Sequence, residues 1–213
     1  MVSTDESSAS IEAVALLQDP IRRRLYEHVA AADHDVSRDE AAAAAEIKRP
    51  LAAFHLDKLA EAGLLDAVFR RPEGKTGPGS GRPAKFYRRA DAEFAISLPA
   101  RDYRTLATVL AEVIEHAGLE DAVAAAAAQH GPAVAGRDLM EALRERGYEP
   151  YLGGAVIRLR NCPFHRLAVD FPPLVCGMNL ALLEGPATEA GWTARMDPAP
   201  GRCCVSLSKT NND

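Results

Sequence analysis

Residues 72–83 must form a loop, and that constrains everything around them. Seven of these twelve residues are glycine or proline (Pro72, Gly74, Gly77, Pro78, Gly79, Gly81 and Pro83). Neither a helix interior nor a paired strand runs through such a segment. Runs of strand composition flank it, at residues 64–69 and 85–88, so the loop closes a hairpin. The stretch is also basic: residues 69–89 hold seven Lys or Arg against one acid, Glu73. The chain as a whole carries a formal charge of −5, so this local cluster, and not the total, is what a polyanion would feel.

Upstream of the hairpin the helix signals are dense. Residues 1–10 read as a disordered polar lead, and residues 11–17 start a short helix. Asp19-Pro20 suits an N-cap followed by proline at the first helical position, with Ile21, Leu25 and Val29 as the apolar stripe of that helix. Ser37 to Glu40 reads as a capping box in which Glu40 reaches back, opening a short alanine-rich helix over 39–45. A longer helix is predicted over 49–62, with Leu51, Phe54, Leu56 and Leu59 as its apolar side and Gly63 as a left-handed C-cap. Helix, short helix, turn, helix, strand, basic loop, strand is the order of a winged helix-turn-helix.

In that arrangement the second helix of the motif enters a DNA major groove by its N-terminal end. Lys48, Arg49, Pro50 and Ala53 occupy that end, and His55 and Lys58 flank it. On the hairpin, Arg70, Arg71, Lys75, Arg82 and Lys85 would run along the phosphate backbone or enter the minor groove. The alternative is a solvated face for Lys58, and for His55 either solvent or packing on the preceding helix. Gly74-Lys75-Thr76 imitates the end of a nucleotide-binding loop. That reading fails because Phe69 stands where the first glycine is needed and no helix can follow through Gly77-Pro78-Gly79.

The chain divides into residues 1–10, a DNA-binding domain over 11–97, a linker and dimerisation helix over 98–118, and an α+β domain over 119–213. Tyr103, Leu106, Leu110, Val113 and Ile114 give the linker helix an apolar seam for a homodimer, with packing inside one chain as the alternative. Further on, helices are predicted over 122–129, 138–146 and 174–183, and strands over 151–159, 193–196 and 203–207. No apolar run approaches the ~18–20 residues that span a bilayer. The first residues lack a signal-peptide profile, so a cytoplasmic location is expected.

All four cysteines, Cys162, Cys176, Cys203 and Cys204, fall in the last quarter of the chain. In a reducing compartment such thiols are metal ligands, redox sensors or small buried apolar groups rather than disulfides. Their spacing is not the short paired spacing of a zinc finger. If Cys203 and Cys204 lie on a strand, they face opposite ways, and only one of them is a ligand. His165, shortly after Cys162, would then be a candidate for the remaining place.

Three segments, Leu17 to Leu25, Phe54 to Leu65 and Gly81 to Tyr87, resemble the opening helix, recognition helix and wing of ArsR-type winged-helix repressors. The contexts Asn161-Cys162-Pro163-Phe164, Cys176 and Cys203-Cys204 resemble the C-terminal region of the SufR-type iron–sulfur repressors. The resemblance implies a repressor that binds a double-stranded operator and holds an iron–sulfur cluster through dispersed cysteines. A further cysteine usual in that family has no counterpart, since residues 177–202 contain none. Zinc in place of the cluster stays open, as does an effector pocket walled by Phe164, Phe171 and Trp192. An enzyme built on a Cys162/His165 pair lacks an orienting acid and is set aside, so no catalysis is expected.

Overall fold

Asp19 starts the first well-packed helix. The computed structural model describes residues 4–70, 83–134 and 136–210, and the chain separates into two units, residues 1–102 and 103–213. Arg71, Lys75 and Arg82 therefore lie outside the described residues. In the first unit α1 (Thr4–Ala15) and a 3-10 turn (Leu16–Gln18) lead into α2 (Pro20–Ala31). The Asp19 carboxylate accepts from the backbone N–H of Ile21 and Arg22, at 2.8 and 3.1 Å, as an N-cap should. The polar lead expected to be disordered is helical from Thr4. Polar composition does not oppose a helix, and no glycine or proline interrupts residues 4–15.

The short strand β1 (Val36–Ser37) precedes α3 (Arg38–Ala44), whose N-cap hydroxyl, on Ser37, accepts from the Glu40 N–H at 3.1 Å. The described return half of the capping box is replaced: the Glu40 carboxylate meets the His34 ring at 2.9 Å. Next comes α4 (Arg49–Glu61). It ends in a Schellman motif: Gly63 takes φ +75°, Leu64 N–H reaches the Leu59 carbonyl and Gly63 N–H that of Ala60.

The hairpin stems β2 (Leu65–Arg70) and β3 (Ala84–Arg89) pair antiparallel with Val68 opposite Phe86, and β1 joins the far edge of β3. Leu25, Val29, Val36, Ala41, Ala52, Leu56, Leu59, Leu65 and Tyr87 are buried together as the core of this unit. The face of α4 differs from the expected one. Ala52, His55, Leu56 and Leu59 point inward, while Leu51 and Phe54 are 40% and 58% exposed. At about 100° per residue, positions 52, 55, 56 and 59 share one face, and 54 lies nearly opposite it. The alanines Ala41, Ala42 and Ala52 at the contact let α3 and α4 approach closely, which fixes that choice.

The second unit is mixed α+β. It contains α5 (Tyr103–Ala117), α6 (Glu120–Ala127), α7 (Leu139–Glu145), β4 (Pro150–Gly153), β5 (Val156–Leu159), α8 (His165–Asp170), α9 (Pro172–Glu189), β6 (Trp192–Met196) and β7 (Val205–Lys209). The sheet is antiparallel in the order β4-β5-β7-β6. The expected single strand over 151–159 is a hairpin, because Gly154, at φ +70°, supplies the first turn position of a two-residue loop. The strand expected from Cys203 starts at Val205, so neither cysteine of the pair lies in it. Leu143, Ile157, Leu159, Leu183, Ala187, Val205 and Leu207 form the core beside the sheet. A second cluster joins Ala111 of α5 to Phe171, Leu174 and Val175 of α9 and its N-cap.

Candidate functional site

The outward face of α4 carries Lys48, Arg49, Pro50, Leu51, Phe54 and Lys58, all exposed, with Ala53 half-buried. His55 is on the other side: it is 7% exposed, and its ring meets the Phe54 ring edge-on at 5.3 Å. It is therefore a core histidine and not a surface contact. Beside the start of α4 lies a groove of about 540 Å³, lined by Ser37, Arg38, Asp39, Arg49, Phe69, Pro83, Ala84, Lys85 and Phe86. The groove brings the first turns of α3 and α4 together with both hairpin stems.

Acids answer the basic side chains of this face. Arg49 meets Asp39 at 2.6 Å and Lys58 meets Glu61 at 2.7 Å. Arg70 pairs with Asp35, and Arg88 lies 3.4 Å from Asp66. Lys85 donates to Asp57 at 2.5 Å. Asp57 is the hub of a network that sequence reading missed, because its members lie far apart in the chain. The Tyr87 hydroxyl donates to it at 2.7 Å and the Arg38 guanidinium at 2.9 Å, while Arg38 Nε also donates to the Tyr87 oxygen at 3.0 Å. Burial opposes ionisation of Asp57, but the bonds from Lys85 and Tyr87 and the Arg38 charge outweigh it and hold the carboxyl below its ordinary range. Burial, reinforced by the bond to Asp57, pushes the Tyr87 phenol up to about 12.

In the second unit the fold gathers all four thiols, none of them in a disulfide. Cys162 lies in the loop between β5 and α8, Cys176 on α9, and Cys203-Cys204 in the turn before β7. The Cys203 N–H donates to the Leu159 carbonyl at 2.9 Å, and the Cys204 carbonyl accepts from Asp197 N–H at 2.7 Å, so the ends of β5 and β6 anchor the pair. Cys162 neighbours Cys203, Cys203 neighbours Cys204, and Cys204 neighbours Cys176, closely enough that each alters the other's ionisation. The alternation argument that set one of Cys203 and Cys204 aside does not hold, since the pair sits in a turn and both reach other thiols.

Cys162, then Cys204, the Val205 N–H and Asn179, pull the Cys203 thiol well below its ordinary range against the effect of burial. Its two thiol neighbours are pushed above theirs, first by Cys203 and then by burial. Asn179 Nδ2 donates to Cys203 Sγ at 3.2 Å, and Asn179 Oδ1 accepts from the Tyr148 hydroxyl at 2.6 Å.

His165 stands apart: its side chain is exposed at the start of α8, and its backbone N–H donates to the Cys162 carbonyl at 3.0 Å. Phe171 is core, packed with Leu174 and Val175, whereas Trp192 packs on the other cluster, so the two do not wall one pocket. Among the described residues, no three His, Cys, Asp or Glu side chains already form a cage for a single ion. The thiols are arranged as a chain of neighbours. The chemistry of the donor set nonetheless suits a sulfur-ligated centre, because thiols from three separate segments are brought into one neighbourhood.

On α5, Tyr103, Leu106, Val109, Leu110 and Val113 are all more than half exposed, while Ala111 is buried. Ile114 is half-buried against the Phe171 cluster and so leaves the expected seam. No described helix is long and apolar enough to cross a membrane. No protein-family model, no curated protein and no solved structure matches this chain.

Proposed function

We propose that the chain is a dimeric transcriptional regulator, a repressor, whose first unit is a winged helix-turn-helix that binds an operator. The observation that carries this is the outward face of α4: Arg49, Leu51, Phe54 and Lys58 are exposed while the opposite face is packed in the core. A helix held this way, beside a groove bounded by a hairpin, suits insertion into a major groove with the hairpin on the backbone. Arg49 and Arg70 are exposed described cations suited to phosphate, and Phe54 suits the methyl of thymine. Selection of bound duplexes from fragmented genomic DNA, then binding at several salt concentrations, tests the reading. A protein that binds no duplex at low salt has another function.

The second unit is proposed as the sensor. Cys162, Cys176, Cys203 and Cys204 would hold a metal centre, and the resemblance favours an iron–sulfur cluster. Such a group would tie the Cys162 loop, α9 and the turn before β7 together, so its gain or loss would alter that unit's order and thereby operator affinity. A second reading, structural zinc, is favoured by the mutual proximity of the four thiols, since sulfurs on one tetrahedral ion are also close neighbours. Anaerobic purification with iron, sulfide and zinc analysis separates the two.

A further inference from the structure

Asn179 is completely buried in the interior of α9, where a polar amide is costly unless every group is bonded. Its oxygen accepts from the Tyr148 hydroxyl at 2.6 Å. That bond fixes the amide's orientation and leaves Nδ2 facing Cys203 Sγ at 3.2 Å. Tyr148 is itself 2% exposed, and its ring packs edge-on against Phe164 at 6.5 Å, two residues beyond Cys162. The tyrosine thus joins the Asn179 amide to the segment just beyond Cys162. Two leucines would fill the same space without any polar requirement. What the Tyr148–Asn179 chain adds is a donor aimed at one particular sulfur.

We propose that Asn179, oriented by Tyr148, is the positioning residue of the thiol site: its amide N–H holds the Cys203 sulfur as an acceptor and makes Cys203 the anchoring ligand of the metal centre. This rests on the reading of the second unit as a metal sensor. An amide donor is accepted only weakly by a neutral thiol, whereas a metal-bound thiolate sulfur is electron-rich and keeps lone pairs that accept from it. Hydrogen bonds to ligand sulfurs are one of the means by which a protein tunes such a centre.

The test titrates the reduced full-length protein anaerobically with cobalt(II), comparing wild type, Asn179→Leu and Tyr148→Phe. We expect cobalt affinity to fall about 10–100-fold in Asn179→Leu, the range for losing an outer partner of a ligand, and by less in Tyr148→Phe. The thiolate-to-cobalt charge-transfer band should shift in both, which a purely structural role would not cause. In a Cys203→Ser background Asn179→Leu should cost nothing further, because the sulfur it serves is gone. Tyr148→Phe keeps the ring, and an apo melting temperature near wild type excludes lost folding as the cause. Unchanged affinity and band in both variants, with wild type binding, overturn the positioning role alone. A wild type that takes up neither cobalt nor an iron–sulfur cluster overturns the sensor reading and this proposal with it.

Discussion

The Tyr87 hydroxyl of β3 donates to the Asp57 carboxylate of α4 at 2.7 Å, and so ties the hairpin to the helix that faces outward beside it. Tyr87 is fully buried while the Asp57 side chain is 35% exposed, so the bond joins the core to the half-exposed side of α4. Asp57→Ala leaves a buried phenol donor without its acceptor and should cost about 1–3 kcal/mol in urea unfolding, against about 1 kcal/mol for Tyr87→Phe. The pH dependence follows from the carboxyl's depressed pKa. A depressed group contributes stability that is present above its unfolded value and lost as pH falls through its folded one. Stability should therefore decline below about pH 4, the ordinary carboxylate range, and Asp57→Asn should remove part of that decline. An unchanged acid limb in Asp57→Asn would contradict the account.

The two faces of α4 make opposite predictions. Leu56 is fully buried, so Leu56→Ala should destabilise the unit by about 2–5 kcal/mol. Phe54→Ala, on the exposed face, should change stability by about 0.5 kcal/mol or less and reduce duplex binding instead. Thermal melts and fluorescence anisotropy with labelled duplex read the two effects separately. A larger destabilisation by Phe54→Ala than by Leu56→Ala would mean that α4 is packed the other way round.

That face was the point at which sequence reading failed. Capping residues act within one turn of chain, so Asp19, Ser37 and Gly63 announced their roles directly. Which side of α4 is buried depends on the neighbours, and Leu51 and Phe54 are as apolar as Leu56 and Leu59. Only the small contacts of Ala41, Ala42 and Ala52 decide between them. The cysteines were legible as a set because they are rare and crowded. The turn that holds Cys203-Cys204 was not, since its backbone is fixed by the Leu159 and Asp197 partners on other segments. Asn179 and Tyr148 carried no signal at all: an asparagine within a helix and a tyrosine after one acquire meaning only when the fold puts them beside a sulfur.

Arg49 is held by Asp39 at 2.6 Å, on side chains that are both more than half exposed. In water such a pair contributes little to stability, so Asp39→Asn should leave the melting temperature nearly unchanged. It should, however, free one cation at the lip of the groove. Affinity for random duplex should then rise, and the slope of log affinity against log salt should steepen by about 1, the signature of one added phosphate contact. A slope identical to wild type would place Arg49 outside the DNA interface.

Gly131 packs against α9 where Pro186 interrupts that helix. Proline at 186 has no N–H for the carbonyl of Leu182, and a Cβ added at Gly131 would stand 2.3 Å from that carbonyl oxygen. It would also press on the Pro186 ring, at 2.8 Å. Neither neighbour is a flexible side-chain end, so backbone must shift. Gly131→Ala should destabilise the second unit by about 1–3 kcal/mol, as overpacking does, whereas Gly177→Ala, with open space around it, should be neutral or mildly stabilising. Chemical denaturation of the two variants side by side checks the contrast, and a stable Gly131→Ala protein would refute the contact.

The proposed dimer would form through α5. Its inward face, through Ala111 and Ile114, is already occupied by Phe171, Leu174 and Val175. Tyr103, Leu106, Leu110, Val113 and Ala117 recur at alternating steps of three and four along its exposed side, the spacing of a heptad seam. Because α5 has fifteen residues, the seam spans about 22 Å at 1.5 Å per residue, enough for about two paired heptads. A second copy of the same helix matches that seam, and two-fold pairing would present two outward α4 helices to the halves of a palindromic site. Leu106→Glu with Leu110→Glu should give a monomer in sedimentation velocity at micromolar concentration. The far-ultraviolet circular dichroism should not change, because neither residue belongs to the core. Binding to a full operator should weaken far more than binding to a half-site, since the two heads no longer act together. A wild-type monomer, or a double variant that stays dimeric, would remove α5 as the interface.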